Sequence, residues 1–406
     1  MRPTRFVLPS SSLASQASGP PLSEFEMSCR HRTFVELGRK LLNQKILGSQ
    51  AISPSDGVLG AYAGDRPQYA SLVRRAFNPE FWNSPGLLAF TQLDAMKTRS
   101  MDREPTAIPG QRSIRLDVNQ MEANFALFFG VALQMYQSTL VSDDTPFDRY
   151  LEGQASAMTP QQVRGMQVFN RACVFCHGGP ELTNASFTVA GSRRIGSMRM
   201  SDGGTALYDT GFYNIGVRPA HEDAGVGGHD PFGMPLSETL MQQQGKSALL
   251  GNDFSGVAVP TDARVAVFGA FKTPGLRNVE LTGPYFHNGG KATLMQVVEF
   301  YAKGGDFRDE NTRLAPASLS AQDKQDLVAF LLALTDERVR FERAPFDHPA
   351  ICVTDGHPGD SWQMTASGGS GQAADSMRCL PAVGASGSSA PLKPFLGLDP
   401  FSLNGS

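Results

Sequence analysis

The sequence predicts a mainly α protein whose helices are joined by long loops. Three observations point there. Apolar residues recur at helical spacing behind N-cap residues at several places along the 406-residue chain. The 42 glycines and 27 prolines interrupt the chain too often for long unbroken elements. One capped helical pattern, over 159–172, runs directly into the pentapeptide Cys173-Val174-Phe175-Cys176-His177. An apolar fraction of 41% suffices for a real core, and the length allows two or three domains.

Taken in order, residues 1–30 read as irregular, with Pro9, Ser10 to Ser12 and Gly19-Pro20-Pro21. Phe34, Leu37, Leu41 and Leu42 predict a helix over 33–47, and Tyr69 to Phe77 another, ended near Asn78-Pro79. Residues 99–115 are polar and read as loop. The longest helical pattern is Asn119 to Leu140. Asn119 and Glu122 form a capping-box signature, and Phe125, Phe128, Phe129, Ala132, Met135, Tyr136 and Leu140 mark one face, expected as core. Thr159-Pro160-Gln161-Gln162 starts the next helix, with Val163, Met166 and Phe169 as its stripe. Residues 183–270 are glycine-rich with little periodicity and read as loops and short strands. Thr293 with Gln296 caps a further helix, closed by Gly304-Gly305. Ser320 with Asp323 caps the last, with Leu327, Leu331 and Leu334 on one face. Beyond about 340 the pattern fades, and 365–390 is rich in serine, glycine and alanine, as flexible segments are.

The net charge of −3 leaves no nucleic-acid footprint. No stretch reaches the length of a membrane span; the most apolar window, Phe125 to Met135, is too short. Met1 to Ser12 lacks the apolar core of a signal peptide.

Cys173-x-x-Cys176-His177 is the attachment sequence of a c-type haem. Two thiols add across the haem vinyl groups, and the adjacent imidazole sits under the iron as proximal ligand. Zinc is the competing reading, but it wants four N/S ligands, and Cys29, Cys352 and Cys379 are not paired at short spacing. Cys352 and Cys379 are left as a candidate bridge, with Cys29 over. A covalent haem implies a periplasmic protein, which conflicts with the absent leader. The expectation is therefore that the true start lies upstream of Met1 or that the chain is a fragment.

With these residues in hand, the chain resembles the di-haem cytochrome c peroxidase family, which includes MauG. Three blocks carry the resemblance: residues 159–183; residues 271–305, with Phe-Lys-Thr-Pro-Gly-Leu-Arg-Asn and Gly-Pro-Tyr-Phe-His-Asn-Gly-Gly; and Gln16-Ala17-Ser18-Gly19-Pro20 through Phe25-Glu26-Met27. Val141 to Asp148 also fits. The resemblance implies a cytochrome c-like haem lobe with long loops, plus the remnant of a second cytochrome c-like lobe. The expected divisions are an N-terminal helical region at 1–150, a haem domain at 151–340 and an irregular tail at 341–406. The family's first lobe, with its own attachment sequence and the haem that reduces peroxide, would lie upstream of the Gln-Ala-x-Gly-Pro segment. Weak or absent peroxidase activity is therefore expected of this chain.

The resemblance also implies residue roles. In the peroxidase branch a methionine on the helix after Pro-Tyr-Phe-His holds the iron opposite the histidine. The MauG branch has tyrosine there, and that position is Tyr301. Leu294, Val297, Val298 and Tyr301 share one helical face, with Met295 off it as the second candidate. A phenolate donates charge and favours higher oxidation states than a thioether. Glu26 matches the family's pocket glutamate, a general acid/base for O–O cleavage. Thr282 and Pro284 correspond to backbone carbonyls of a calcium site, whose remaining protein ligand would lie upstream; half a site should bind weakly. His221, His229 and His287 read as loop or core histidines. The implied function is a haem c oxidoreductase moving electrons between a small donor protein, of cytochrome c or cupredoxin type, and hydrogen peroxide. The alternatives are a mono-haem electron-transfer cytochrome without peroxidase activity, or an inactive fragment.

Overall fold

A computed structural model of the chain describes residues 8, 11–23, 26–28, 32–93, 113–191, 193–200, 202–230, 233–246, 258–309, 312–354 and 376–404. Twelve α-helices and four two-stranded antiparallel sheets are found among them. The chain forms two compact units, one from Met1–Val141 with Glu342–Ser388, the other from Ser142–Phe341 with Ser389–Ser406.

The first unit begins with α1 (Ser12–Ser18), α2 (Phe34–Leu41) and α3 (Tyr69–Ala76). The ribbon of β1 (Leu88–Leu93) and β2 (Ser113–Val118) follows, then α4 (Gln120–Ala123) and α5 (Phe125–Gln137). The Asn119–Glu122 capping box is present, but the expected long helix breaks at Asn124, whose side-chain amide donates to the Phe81 carbonyl at 2.7 Å. Phe125 and Phe128 are buried with Leu42, Val73 and Met121, as the aromatic stripe predicts. The stripe ends early: Met135 and Tyr136 are exposed. Of the loop expected at 99–115, residues 99–112 lie outside the described residues, and Ser113 onward is strand β2.

The second unit contains α6 (Pro146–Leu151), α7 (Pro160–Ala172), α8 (Phe187–Ala190), α9 (Glu238–Gln243), α10 (Leu294–Lys303), α11 (Ala321–Leu332) and α12 (Glu337–Arg340). Its short strands are β3 (Ile195–Arg199) with β4 (Thr205–Asp209), and β5 (Phe212–Tyr213) with β6 (Phe271–Lys272). Its core is the crossing of α7 on α11. Gly165 lies against the Asp326 carbonyl with no room for a side chain, since an added Cβ would meet Phe330 Cβ at 2.7 Å. This close approach buries Val168, Phe169, Leu327, Phe330 and Leu331, with the Phe169 and Phe330 rings 5.1 Å apart. Outside the crossing, Arg164 forks onto Asp326 at 2.8 and 3.0 Å.

Helix α10 ends at Gly304 in the left-handed region (φ 84°), as Gly-Gly predicts. Its N-terminus is held by the end of the chain. Met295 N–H donates to the Pro400 carbonyl at 2.9 Å, and the Thr293 hydroxyl to the Ser402 carbonyl at 2.6 Å. Residues 341–406, expected as one irregular tail, are thus divided between the units, and 389–404 serve as a wall for α10. The helix is also less one-sided than expected: Met295 and Phe300, off the predicted face, are as buried as Leu294 and Val298, with the Phe300 ring 4.5 Å from that of Phe286.

Two sequence blocks behind the resemblance bond to each other. Arg277 forks onto Asp148 at 2.7 and 2.9 Å, and Asn278, in the left-handed region (φ 59°), joins Ser142 to Asp336. Returning to the first unit, β7 (Ile351–Thr354) pairs with β8 (Met377–Leu380), bridged by a Cys352–Cys379 disulfide, the candidate pair among the cysteines left over from the attachment sequence. Residues 355–375, including much of the segment read as flexible, lie outside the described residues, as does Cys29.

Candidate functional site

The site starts at the end of α7. The helix runs out at Cys173, whose N–H still donates to Phe169 O at 2.8 Å. One more turn follows: Cys176 N–H and His177 N–H both reach Cys173 O, at 3.2 and 3.0 Å. Cys173, Cys176 and His177 therefore stand at i, i+3 and i+4 of one turn and share a side. Both thiols are unpaired. Cys173 packs on the α7–α11 core, and Cys176 on a second cluster that includes Met198, Met200, Tyr208 and Tyr213.

The turn is held from below by the loop after it. Asn184 N–H donates to Cys176 O at 2.9 Å, its side-chain amide to Phe175 O, and the Thr183 hydroxyl to Thr273 O at 2.6 Å. His177 Nδ1 lies 3.1 Å from Leu182 O. Leu182 supplies that carbonyl from a left-handed conformation (φ 53°), a local strain of the kind found where a carbonyl must be aimed. The contact makes Nδ1 the donor and leaves Nε2 as the free lone pair, the arrangement a metal-ligating imidazole needs.

Burial dominates the electrostatics. It pushes the Cys173 thiol up to about 11 and the Cys176 thiol up to about 12, the latter partly opposed by the charge of Arg313. It lowers His177 against the carbonyls of Leu182 and Pro274, favouring the neutral imidazole. Tyr301 is pushed well above the usual tyrosine range, first by burial and then by Cys176 and Cys173. The phenol of Tyr301 thus feels both thiols, across a span of more than a hundred residues of chain. Its ring packs edge-on to Phe300 at 5.5 Å and lies 6.4 Å from Phe286. Met295, the other candidate, is sunk in the apolar core with Leu294, Val298 and Leu327.

These four side chains keep accessible surface although burial governs all their shifts. Two buried polar atoms lie without hydrogen bonds in the same region, Tyr213 Oη and Arg313 Nε, both neighbours of Cys176. Two thiols, one imidazole with a free Nε2, one phenol and unused donors fit a covalently attached haem in chemistry.

The other sequence candidates stand differently. Glu26 belongs to the first unit, exposed in a turn closed by its own N–H to Ser23 O at 3.3 Å. Thr282 and Pro284 precede α10, but the nearby acidic group, Glu280, is spent on Arg340 and the Thr335 hydroxyl. Among the described residues no group of three or more His, Cys, Asp or Glu could hold a metal ion, so no carboxylate cluster adds to the Thr282 and Pro284 carbonyls. His287 Nε2 lies 2.6 Å from Asp223 and stacks on Phe271 at 3.5 Å. No helix among the described residues is long and apolar enough to cross a membrane. Sequence reasoning missed Tyr213 and Arg313, which nothing local connects to Cys176.

No protein-family model matches the chain. It is similar to Cytochrome-c peroxidase IdrP1 of Pseudomonas sp. strain SCT, 34% identical over 209 residues, 50% of this chain and 48% of that protein. Cytochrome-c peroxidase IdrP2 of Denitromonas iodatirespirans is 31% identical over 249 residues, 60% and 58% of the two chains. Methylamine utilization protein MauG of Methylorubrum extorquens is 30% identical over 209 residues, 51% and 43%. Among solved structures, a MauG-like protein associated with microbial copper homeostasis is 26% identical, covering 56% of this chain and 59% of that one, with a TM-score of 0.34. The chain spans about half the length of the curated relatives it matches. By sequence, this chain is a homologue of the cytochrome c peroxidase and MauG proteins over about half of its own length.

Proposed function

We propose that the chain is a haem c oxidoreductase of the di-haem cytochrome c peroxidase/MauG type. In this reading Cys173 and Cys176 would carry one haem, and His177 and Tyr301 would hold its iron. The observation that carries the reading is the attachment turn, which sets Cys173, Cys176 and His177 on one side with His177 Nδ1 against the Leu182 carbonyl; the buried Tyr301 phenol, raised in part by both thiols, is the candidate opposite. When bound, haem iron supplies one-electron chemistry, passing electrons from a small donor protein of cytochrome c or cupredoxin type toward hydrogen peroxide.

The residues have separate tasks. Leu182 holds the imidazole tautomer through Nδ1, so that Nε2 is the ligating atom. The α7–α11 crossing fixes the turn that presents both thiols. Tyr301 presents its phenol from α10; a ferric cation there would reverse the burial effect and favour the phenolate. The first unit is read as the counterpart of the remainder of the family's first lobe, with Glu26 as its acid/base candidate, and a periplasmic location follows from covalent haem. One observation favours a second reading: the chain contains a single Cys-x-x-Cys-His, which suits a mono-haem electron-transfer cytochrome.

The test is spectroscopic and kinetic. Tyr301→Met should raise the reduction potential and introduce the near-infrared charge-transfer band of His/Met iron. Tyr301→Phe should open the position to water. A wild-type spectrum already of His/Met type, unchanged in Tyr301→Phe, would refute the tyrosine assignment and turn attention to Met295. Peroxide turnover with a reduced cytochrome donor separates the peroxidase from the simple electron carrier.

A further inference from the structure

We propose that Asp56 and Asp347 form a site for a hard divalent cation, calcium or magnesium, in the first unit. The site shares no residue with the haem c reading above and does not depend on it. The chain at 56–60 makes one turn, closed by Gly60 N–H on Asp56 O at 3.2 Å. Its first N–H groups point the same way, as at the start of a helix, and carboxylate oxygens take them. Gly57 N–H donates to Asp347 Oδ2 at 2.6 Å. Val58 and Leu59 N–H donate to Asp56 Oδ1 at 2.9 and 2.6 Å. The two carboxylates therefore sit side by side on one turn. Asp56 is 8% exposed and Asp347 7%. The second oxygen of Asp56, Oδ2, is buried and has no hydrogen-bond partner.

Among the described residues no ion pair reaches either carboxylate. His348, next to Asp347 in the chain, is turned to Glu342 and to the Pro349 carbonyl, at 2.9 Å each. The charges of both carboxylates act together on one neighbour, the Tyr136 phenol, which burial first and then Asp56 and Asp347 push up. Buried charges are ordinarily paired or bound to a metal. Two carboxylates this close cannot both stay ionised without a positive charge between them. The missing partner is therefore a cation that reaches Asp56 Oδ2. The donors are all oxygen, which selects calcium or magnesium over zinc or copper. With two carboxylates the ion keeps water in its other positions and binds weakly, at roughly 10⁻⁴–10⁻³ M. Bound there, it would fasten the returning segment Glu342–Ser388 to the turn at 56–60 within this unit.

The experiment uses the full chain, stripped of metal by a chelator and dialysed, with hydrogen exchange over residues 53–62 followed by mass spectrometry. Calcium chloride, and separately magnesium chloride, is added at matched ionic strength. At about ten times the dissociation constant, exchange that needs this turn to open should slow about tenfold in wild type with at least one of the two ions. Asp56→Asn keeps an acceptor for Val58 and Leu59 N–H, since asparagine caps a turn as aspartate does. It should show no slowing. Without cation it should exchange no faster than wild type, because one buried charge is gone. Equal slowing in wild type and Asp56→Asn would put the ion elsewhere on the chain and overturn the site. Wild-type exchange indifferent to both ions would overturn it too, leaving the carboxylates to share a proton. Asp347→Asn, which keeps an acceptor for Gly57 N–H, should behave as Asp56→Asn and decides where that variant does not fold.

Discussion

Gly165→Ala is a small change with a large expected cost, because the structure leaves it no space. The added methyl would fall 2.6 Å from the Asp326 carbonyl carbon and 2.7 Å from Phe330 Cβ, and closer still to the Asp326 oxygen. Carbon pairs rest at about 3.5–4.0 Å, so the helices must part by roughly 1 Å, enough to forfeit a quarter to a half of each contact across the crossing. The obstacle is main chain of α11, which cannot rotate away. Overpacking of this kind costs about 1–3 kcal/mol, and the upper end applies. The alanine gains back roughly 1 kcal/mol in helix propensity, leaving a net loss of about 2 kcal/mol. For a domain of this size that lowers Tm by about 4–8 °C, at about 2–4 °C per kcal/mol. Urea unfolding followed by far-UV circular dichroism measures it. Haem attachment should fall as well, since α7 ends on Cys173. A Gly165→Ala protein as stable as wild type, or stabilised by the propensity gain, would refute the crossing as described.

Two further outcomes follow from the second unit. Arg340→Met should destabilise by about 3 kcal/mol, because it strands a buried Glu280 carboxylate, and adding Glu280→Gln should recover much of the loss; denaturant midpoints check both. Burial raises Asp148, but the hydrogen bonds from Arg277 and Thr145 more than offset it and hold its carboxyl below the usual value of 3.8. A depressed native value means that the unfolded chain takes the proton first, so this stabilisation is complete above about pH 4 and is lost as pH falls through the native value. Unfolding midpoints between pH 6 and pH 2 should therefore fall more steeply in wild type than in Arg277→Met.

Much of this was legible locally. Thr159 with Gln162, Asn119 with Glu122, and Ser320 with Asp323 announce helix starts that form as written, because a capping box needs only four consecutive residues. The attachment turn is equally local, and Tyr301 was reachable through helical spacing and the family resemblance. What stayed hidden depends on distant chain. The break at Asn124 is made by Phe81, and the apolar period continues straight through it. Met295 is buried by a wall from residues 389–404, about a hundred positions away. Tyr213, in β5, and Arg313, in the loop between α10 and α11, meet at Phe175 with no period or motif to pair them.

The central claim is that this chain carries one covalent haem on Cys173 and Cys176. The direct measurement is the haem-to-protein ratio, by pyridine haemochrome after extraction of unattached haem, for chain matured with a c-type haem attachment system, beside Cys176→Ala. The account predicts one haem per chain in wild type and loss of stable attachment in the variant. No retained haem in wild type, or equal retention in Cys176→Ala, would contradict it.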